Sequence, residues 1–187
     1  MIRFGITTGF LAVLSLAALL RPAVAEPVSQ YTKIDLSKCT IVEPASSEGV
    51  FGGSWSCQGY RGIPVFVAEG DLRMFVSFGE NAARESAASQ TLGGFNTIND
   101  TLEWRIRNDR PFATILRWSM DTPDGTGKVQ VLVVTQLKAG SVCHVAYVNA
   151  TANPNANILA RQAADELAGA HMCERGARVI GKAGRLG

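Results

Sequence analysis

Alternating apolar and charged residues mark the clearest strand, near the middle of the chain. Between residues 102 and 107, apolar residues at even positions alternate with charged residues at odd positions. This is the period of a half-exposed β-strand, because successive side chains point to opposite faces. Residues 131–134 are apolar on both faces, which is typical of a central strand covered on both sides. Further strands are predicted at residues 40–42, 54–57, 63–68, 72–78, 112–120, 129–137 and 142–148.

Short polar segments separate these predicted strands. Glu69-Gly70-Asp71 is a compact turn signal between two β-rich runs, which predicts a hairpin. Residues 108–111 and 121–127 are dense in turn-forming residue types. Residues 81–90 are small and polar, so they form either a short helix or a loop. Pro64 cannot donate a ladder hydrogen bond, and we therefore expect its strand to begin at a sheet edge.

The period changes to that of a helix after residue 152. Asn153 suits the N-cap and Pro154 suits the first helical position. Arg161 and Asp165 form an i,i+4 pair of opposite charge on the polar side. One apolar face is formed by Ala156, Leu159, Ala160, Ala163 and Leu167. The chain is therefore expected to be an α+β domain, in which one C-terminal helix packs on an antiparallel sheet of six to eight short strands.

The first 25 residues have the pattern of a secretory signal peptide. A basic start and an apolar run lead to an Ala-x-Ala site that ends at Ala25. An uncleaved anchor is the alternative, although the apolar run is at the short limit for a membrane span. We expect cleavage to leave residues 26–187 as a single domain in the periplasm or outside the cell. Its core would span residues 31–173, and residues 174–187 would form a flexible tail, in which 177–180 could add an edge strand.

Removal of the leader also changes the charge balance. The whole chain has a formal net charge of +2, and Arg3 and Arg21 in the leader account for it. The mature chain is therefore near neutral, which gives no electrostatic case for binding nucleic acid. No later segment is apolar and long enough to cross a bilayer.

Four cysteines in an exported chain suggest two disulfides. Of the three possible connectivities, Cys39–Cys57 and Cys143–Cys173 are favoured, because each pair lies within one local unit. A zinc or redox site is the alternative, but the chain has no Cys-x-x-Cys and only two histidines. We expect no metal and no cofactor.

No motif identifies a reaction. The chain lacks Gly-x-Ser-x-Gly, and His144 and His171 favour structural roles. Glu69 and Asp71 are two close carboxylates in a tight turn, where solvation is the expected role. The segment 121–127 resembles a calcium loop only weakly, since Leu132 stands where an EF-hand has glutamate. No catalytic residue is assigned.

A charged stripe is the strongest candidate for binding. Arg105 and Arg107 share one strand face with Glu103, Arg110 lies in the next turn, and Arg117 lies across the predicted hairpin. Arginine binds carboxylates and phosphates through two parallel hydrogen bonds. This face is therefore a candidate site for an acidic partner or ligand, and a solvated sheet surface is the alternative.

Several segments resemble small exported proteins of Gram-negative bacteria. They are Gly-Asp-Leu-Arg at 70–73, Ala-Thr-Ile-Leu-Arg-Trp at 113–118, Cys-His-Val-Ala-Tyr-Val at 143–148 and Asn-Pro-Asn-Ala-Asn at 153–157. The resemblance covers most of residues 31–173. It implies a periplasmic setting and supplies no activity or site.

Size and setting favour a non-catalytic binding domain, for example an enzyme inhibitor, whose partner is an envelope or extracellular protein. The alternatives are a small envelope hydrolase with a site near Glu69, Asp71 and His144, and an envelope structural or stress protein.

Overall fold

Ten strands and one α-helix form the part of the chain that the computed structural model describes, residues 1–2, 25–45, 52–122 and 124–186. Most of the predicted leader lies outside these residues. The elements are β1 (Val28–Lys33), β2 (Thr40–Glu43), β3 (Ser54–Gln58), β4 (Pro64–Gly70), β5 (Arg73–Phe78), β6 (Asn96–Arg107), β7 (Arg110–Asp121), β8 (Lys128–Gln136), β9 (Cys143–Asn149), α1 (Ala156–Leu167) and β10 (Arg178–Ile180).

The strands form two sheets. The larger sheet has the order β1-β6-β7-β8-β9-β10, and the smaller has the order β2-β3-β4-β5. Strand β10 runs parallel to β9, whereas the other pairings are antiparallel. Two of the antiparallel pairs, β4–β5 and β6–β7, are hairpins with two-residue turns, a connection that only antiparallel neighbours allow. The parallel β10 is reached through α1, which is the crossover that a parallel pair requires.

Two apolar clusters lie on opposite faces of the larger sheet. One fills the space between the sheets and includes Val67 and Val76 from the smaller sheet and Trp104 and Trp118 from the larger. The other lies under α1, where the helix contributes only alanines among its fully buried residues. Small side chains let the helix axis approach the sheet closely. The result is three layers: sheet, sheet and helix.

The α+β class, the helix on the sheet and both disulfides are confirmed. Cys39 and Cys57 have Cα atoms 4.5 Å apart, and Cys143 and Cys173 have Cα atoms 5.8 Å apart. The sequence predicted six to eight strands in one sheet, and the described residues have ten in two. Strand β1 was not predicted, because the segment before residue 34 is polar. Strand β6 is longer than predicted, because it begins at Asn96, ahead of the apolar alternation.

Three local predictions were wrong. Strand β4 lies between β3 and β5, so Pro64 is not at a sheet edge; as the first residue of its strand it needs no ladder donor. Helix α1 begins at Ala156 with Asn155 as N-cap, and the buried Asn153 donates instead to the carbonyls of Asn149 and Lys182, each at 2.8 Å.

The third error concerns the β4–β5 hairpin. Glu69 and Gly70 belong to β4, and the turn consists of Asp71 and Leu72. Elsewhere, residues 81–90 form two short 3-10 segments, Ala82–Arg84 and Ser86–Ser89. Among the described residues, no helix has the length and apolar character needed to cross a bilayer.

Candidate functional site

Strand β6 directs its charged residues toward α1. Its even-numbered apolar residues Leu102, Trp104 and Ile106 face the second sheet, so Glu103 and Arg105 must face the helix layer. Both are buried, and Arg105 is only 6% exposed. A buried charge requires a partner of opposite sign. Helix α1 supplies those partners.

Two ion pairs cross from β6 to α1. The Arg161 guanidinium donates to both carboxylate oxygens of Glu103, at 2.6 and 3.2 Å. Arg105 donates in the same forked manner to Asp165, at 3.0 and 2.6 Å. We call these four residues the helix–sheet seam. The predicted i,i+4 pair between Arg161 and Asp165 was wrong, because each residue pairs with the strand instead.

Strand β1 completes the hydrogen bonds of the seam. Ser29 Oγ donates to Glu103 at 2.5 Å and accepts from Arg105 at 2.7 Å. The Pro27 carbonyl accepts from Arg105 at 3.3 Å, and Tyr31 Oη accepts from Arg161 at 3.0 Å. The hydrogen bond to Glu103 raises the pKa of Arg161 further above its usual value. The four charged side chains of the seam therefore share one hydrogen-bonded network with residues 27–31.

The four predicted arginines fall into different environments. Arg105 is committed to the seam and is not available to a ligand. Arg107 donates to the Asp165 carbonyl at 3.3 Å, and its guanidinium lies 4.6 Å from the Phe112 ring centroid. Arg110 is exposed at the start of β7. Arg117 is half-buried and faces a pocket beside the seam.

We call this pocket the arginine pocket. It has a volume of about 240 Å³ and lies between the first turn of α1 and strands β6 and β7. Its polar lining includes Tyr31, Glu103, Arg117, Asn157 and Arg161. Arg117 donates to Asn157 Oδ1 at 3.2 Å, and no carboxylate of the described residues lies within ion-pair distance of it. Two arginines against one glutamate leave the pocket with one uncompensated positive charge.

The sequence did not predict that Arg161, Asn157 and Tyr31 belong to this site. One signal for Arg161 was available. Two residues along a strand span about 6.6 Å, and four residues along a helix span about 6 Å. The opposite charges of Glu103 and Arg105 therefore match those of Arg161 and Asp165 in spacing.

The residues of the hydrolase alternative are not joined in the structure. His144 is buried beside Trp118 and Tyr147, and burial lowers its pKa to about 3. Its Nδ1 lies 2.9 Å from Tyr147 Oη. Glu69 accepts the Leu72 N–H at 3.0 Å, and Asp71 pairs with Arg73 at 3.2 Å. No hydrogen bond or ion pair among the described residues connects either carboxylate to His144.

The segment after β7 has the contacts of a turn. Asp124 Oδ1 accepts from the Thr122 hydroxyl at 2.6 Å and from the Thr126 N–H at 3.1 Å. The other oxygen of Asp124 pairs with Arg185, so both carboxylate oxygens have partners within the protein. Across the part of the chain that the structure describes, no group of three or more His, Cys, Asp or Glu side chains is placed to hold a metal ion.

Comparison with protein-family models, with curated proteins and with solved structures gave no match for this chain.

Proposed function

We propose that the mature chain is an exported, non-catalytic binding domain whose arginine pocket takes up a carboxylate or another acidic group of its ligand or partner. The observation that carries this proposal is the uncompensated guanidinium of Arg117. A carboxylate between Arg117 and Arg161 would satisfy it through charge-assisted hydrogen bonds. The first turn of α1 adds the positive end of the helix dipole at Asn157.

The rest of the fold supports a role in which the protein presents the arginine pocket to a ligand or partner. The seam and β1 hold Arg161 in place, so the pocket has one wall of fixed position. Preorganised donors bind more strongly, because less side-chain freedom is lost on binding. The pocket stands on a three-layer scaffold that carries two disulfides.

The test is calorimetric titration of the oxidised protein with a short polyglutamate peptide. A charge-assisted hydrogen bond contributes about 1.5–3 kcal/mol, so Arg117→Gln should weaken binding by about 10-fold or more. Arg84→Gln removes the same charge from an exposed position outside the pocket and should leave the affinity unchanged. Equal losses in both variants would show only a net-charge effect and would refute the pocket. Turnover of generic ester, peptide or glycan substrates by the same sample would favour the hydrolase alternative.

Export is proposed from the leader pattern, and two disulfides are compatible with an oxidising compartment. N-terminal sequencing of the protein from a periplasmic or culture-medium fraction tests this directly. We expect the sequence to begin at Glu26, whereas an N-terminus at Met1 in a membrane fraction would indicate an uncleaved anchor.

A further inference from the structure

The turn between β4 and β5 holds a leucine in an unfavourable backbone conformation. Asp71 and Leu72 have φ angles of 51° and 60°, as both central residues of a type I′ turn require. The β6–β7 hairpin uses the same geometry with Asn108 and Asp109, at 51° and 59°. Asn and Asp tolerate this region, whereas a bulky residue such as Leu rarely adopts it.

Neighbouring groups fix this conformation. Glu69 Oε1 accepts the Leu72 N–H at 3.0 Å, and the Leu72 carbonyl accepts from Asn96 N at 3.0 Å. The buried Asn96 side chain also accepts from Met74 N at 3.0 Å and donates to the Gly94 carbonyl at 2.8 Å. A strained residue that its surroundings hold in place is a reason to look for a function.

The leucine side chain does not pack in the core, so core burial does not offset this strain. It is 63% exposed, and Phe95 beside it is 47% exposed. Both line a pocket of about 350 Å³ that also includes Met74 and Asn96. We call this surface the hairpin tip.

The loop that carries Phe95 is held as firmly as the turn. The Phe95 carbonyl accepts from Asp121 N at 2.8 Å. A Cβ atom at Gly94 would lie 2.5 Å from the Asp121 carbonyl oxygen, so the loop approaches β7 as closely as glycine allows. Two large apolar side chains are therefore presented to solvent on hydrogen-bonded backbone, so little backbone freedom would be lost when a partner contacts them.

The charges at the hairpin tip determine which partner fits. Three charged residues line the pocket: Glu69, Asp121 and Lys128. Asp121 and Lys128 pair with each other at 2.5 Å. Glu69 has no cation within ion-pair distance among the described residues, so its carboxylate gives the pocket one uncompensated negative charge.

We propose that the hairpin tip docks a protein partner through a segment in which an apolar side chain lies next to a lysine or arginine. The apolar side chain enters the pocket between Leu72 and Phe95, and the cation meets Glu69. This surface is separate from the arginine pocket and opposite to it in charge, so either proposal can fail without the other.

The experiment is selection of a phage-displayed library of random short peptides on the immobilised, oxidised protein. We expect the selected peptides to combine an apolar residue with an adjacent Lys or Arg. Leu72→Gly and Phe95→Ser should each weaken their binding by about 10-fold or more. Glu69→Gln keeps the oxygen that accepts the Leu72 N–H but removes the charge. It should weaken peptide binding by less than Leu72→Gly or Phe95→Ser does. Ile158→Ser changes a residue that is 56% exposed on α1 and should have no effect.

Thermal unfolding of Leu72→Gly separates function from folding. The substitution gives the Asp-Gly pair that type I′ turns favour, so Tm should stay unchanged or rise by about 2 °C. A clear fall in Tm would mean that the leucine stabilises the fold, and would overturn the proposal. It would also be overturned if no peptide is enriched, or if the selected peptides bind Leu72→Gly as well as the parent protein. Arg117→Gln should bind the same peptides unchanged.

Discussion

Arg105 on β6 and Asp165 on α1 form a forked ion pair, with nitrogen–oxygen distances of 3.0 and 2.6 Å. The arginine is buried and the aspartate is half-buried. Together with Glu103 and Arg161, this pair fixes how far along β6 the helix lies. It also removes from the surface the arginine that stands at the centre of the charged stripe in the sequence.

Removal of one partner of this pair should destabilise the protein. Breaking a buried pair costs about 3–5 kcal/mol, and because Asp165 keeps some exposure we expect about 3 kcal/mol for Arg105→Ala. Urea unfolding measures this, and Arg84→Ala serves as the exposed control. A loss below about 0.5 kcal/mol, the usual range for surface substitutions, would show that the pair contributes little.

The stability of the protein should also depend on which seam residues carry the positive charges and which carry the negative ones. R161D with D165R places like charges against β6 and should destabilise the protein. The addition of E103R with R105E restores opposite charges and should recover part of the loss, since coupled residues are non-additive. The free energies of unfolding of the two multiple variants test this, and a further loss in the fourfold variant would contradict the register that the seam implies.

Protonation of buried His144 should weaken the fold in acid. Burial lowers its pKa from 6.5 to about 3, so the unfolded chain binds the extra proton first as the pH falls. The stability that neutral, buried His144 contributes is fully present above pH 6.5 and is lost progressively toward pH 3. Between pH 7 and pH 5 the loss should be about 2 kcal/mol. His144→Gln should remove that part of the pH dependence, whereas His171→Gln should retain it.

The two disulfides should contribute similar stability. Their sequence separations are 18 and 30 residues, for which loop-closure entropy gives about 3 and 4 kcal/mol. Denaturation of Cys39→Ser/Cys57→Ser and of Cys143→Ser/Cys173→Ser measures each contribution. The second double variant should be the less stable, because it frees the longer loop and releases the segment after α1 from β9.

Apolar periodicity in the sequence predicted part of the fold correctly. The alternation at residues 102–107 placed Trp104 in the core, and the alanine spacing placed α1 on the sheet. It failed where pairing depends on tertiary context. Strand β1 is mostly polar, and its only strand partner among the described residues is β6, which lies far from it in the sequence. Arg161 and Asp165 are spaced correctly for each other, but the buried charges of β6 compete for both.

The candidate site was predictable only in part. A stripe of arginines was visible along the strand, but the sequence could not show which of them α1 neutralises. Arg117 stays available because the facing helix position is Asn157 rather than an acidic residue. The backbone strain at Leu72 could not be predicted either. It arises because the turn lies one residue later than the Glu69-Gly70-Asp71 signal suggests.

The most direct test of the central claim is NMR shift mapping of the oxidised protein during titration with the polyglutamate peptide. We predict saturable amide shifts that centre on Arg117, Asn157 and the neighbouring residues of β1, and that disappear in Arg117→Gln. Shifts that spread over exposed lysines and arginines without saturation, or that centre on another surface, would contradict the assignment of the arginine pocket as the binding site.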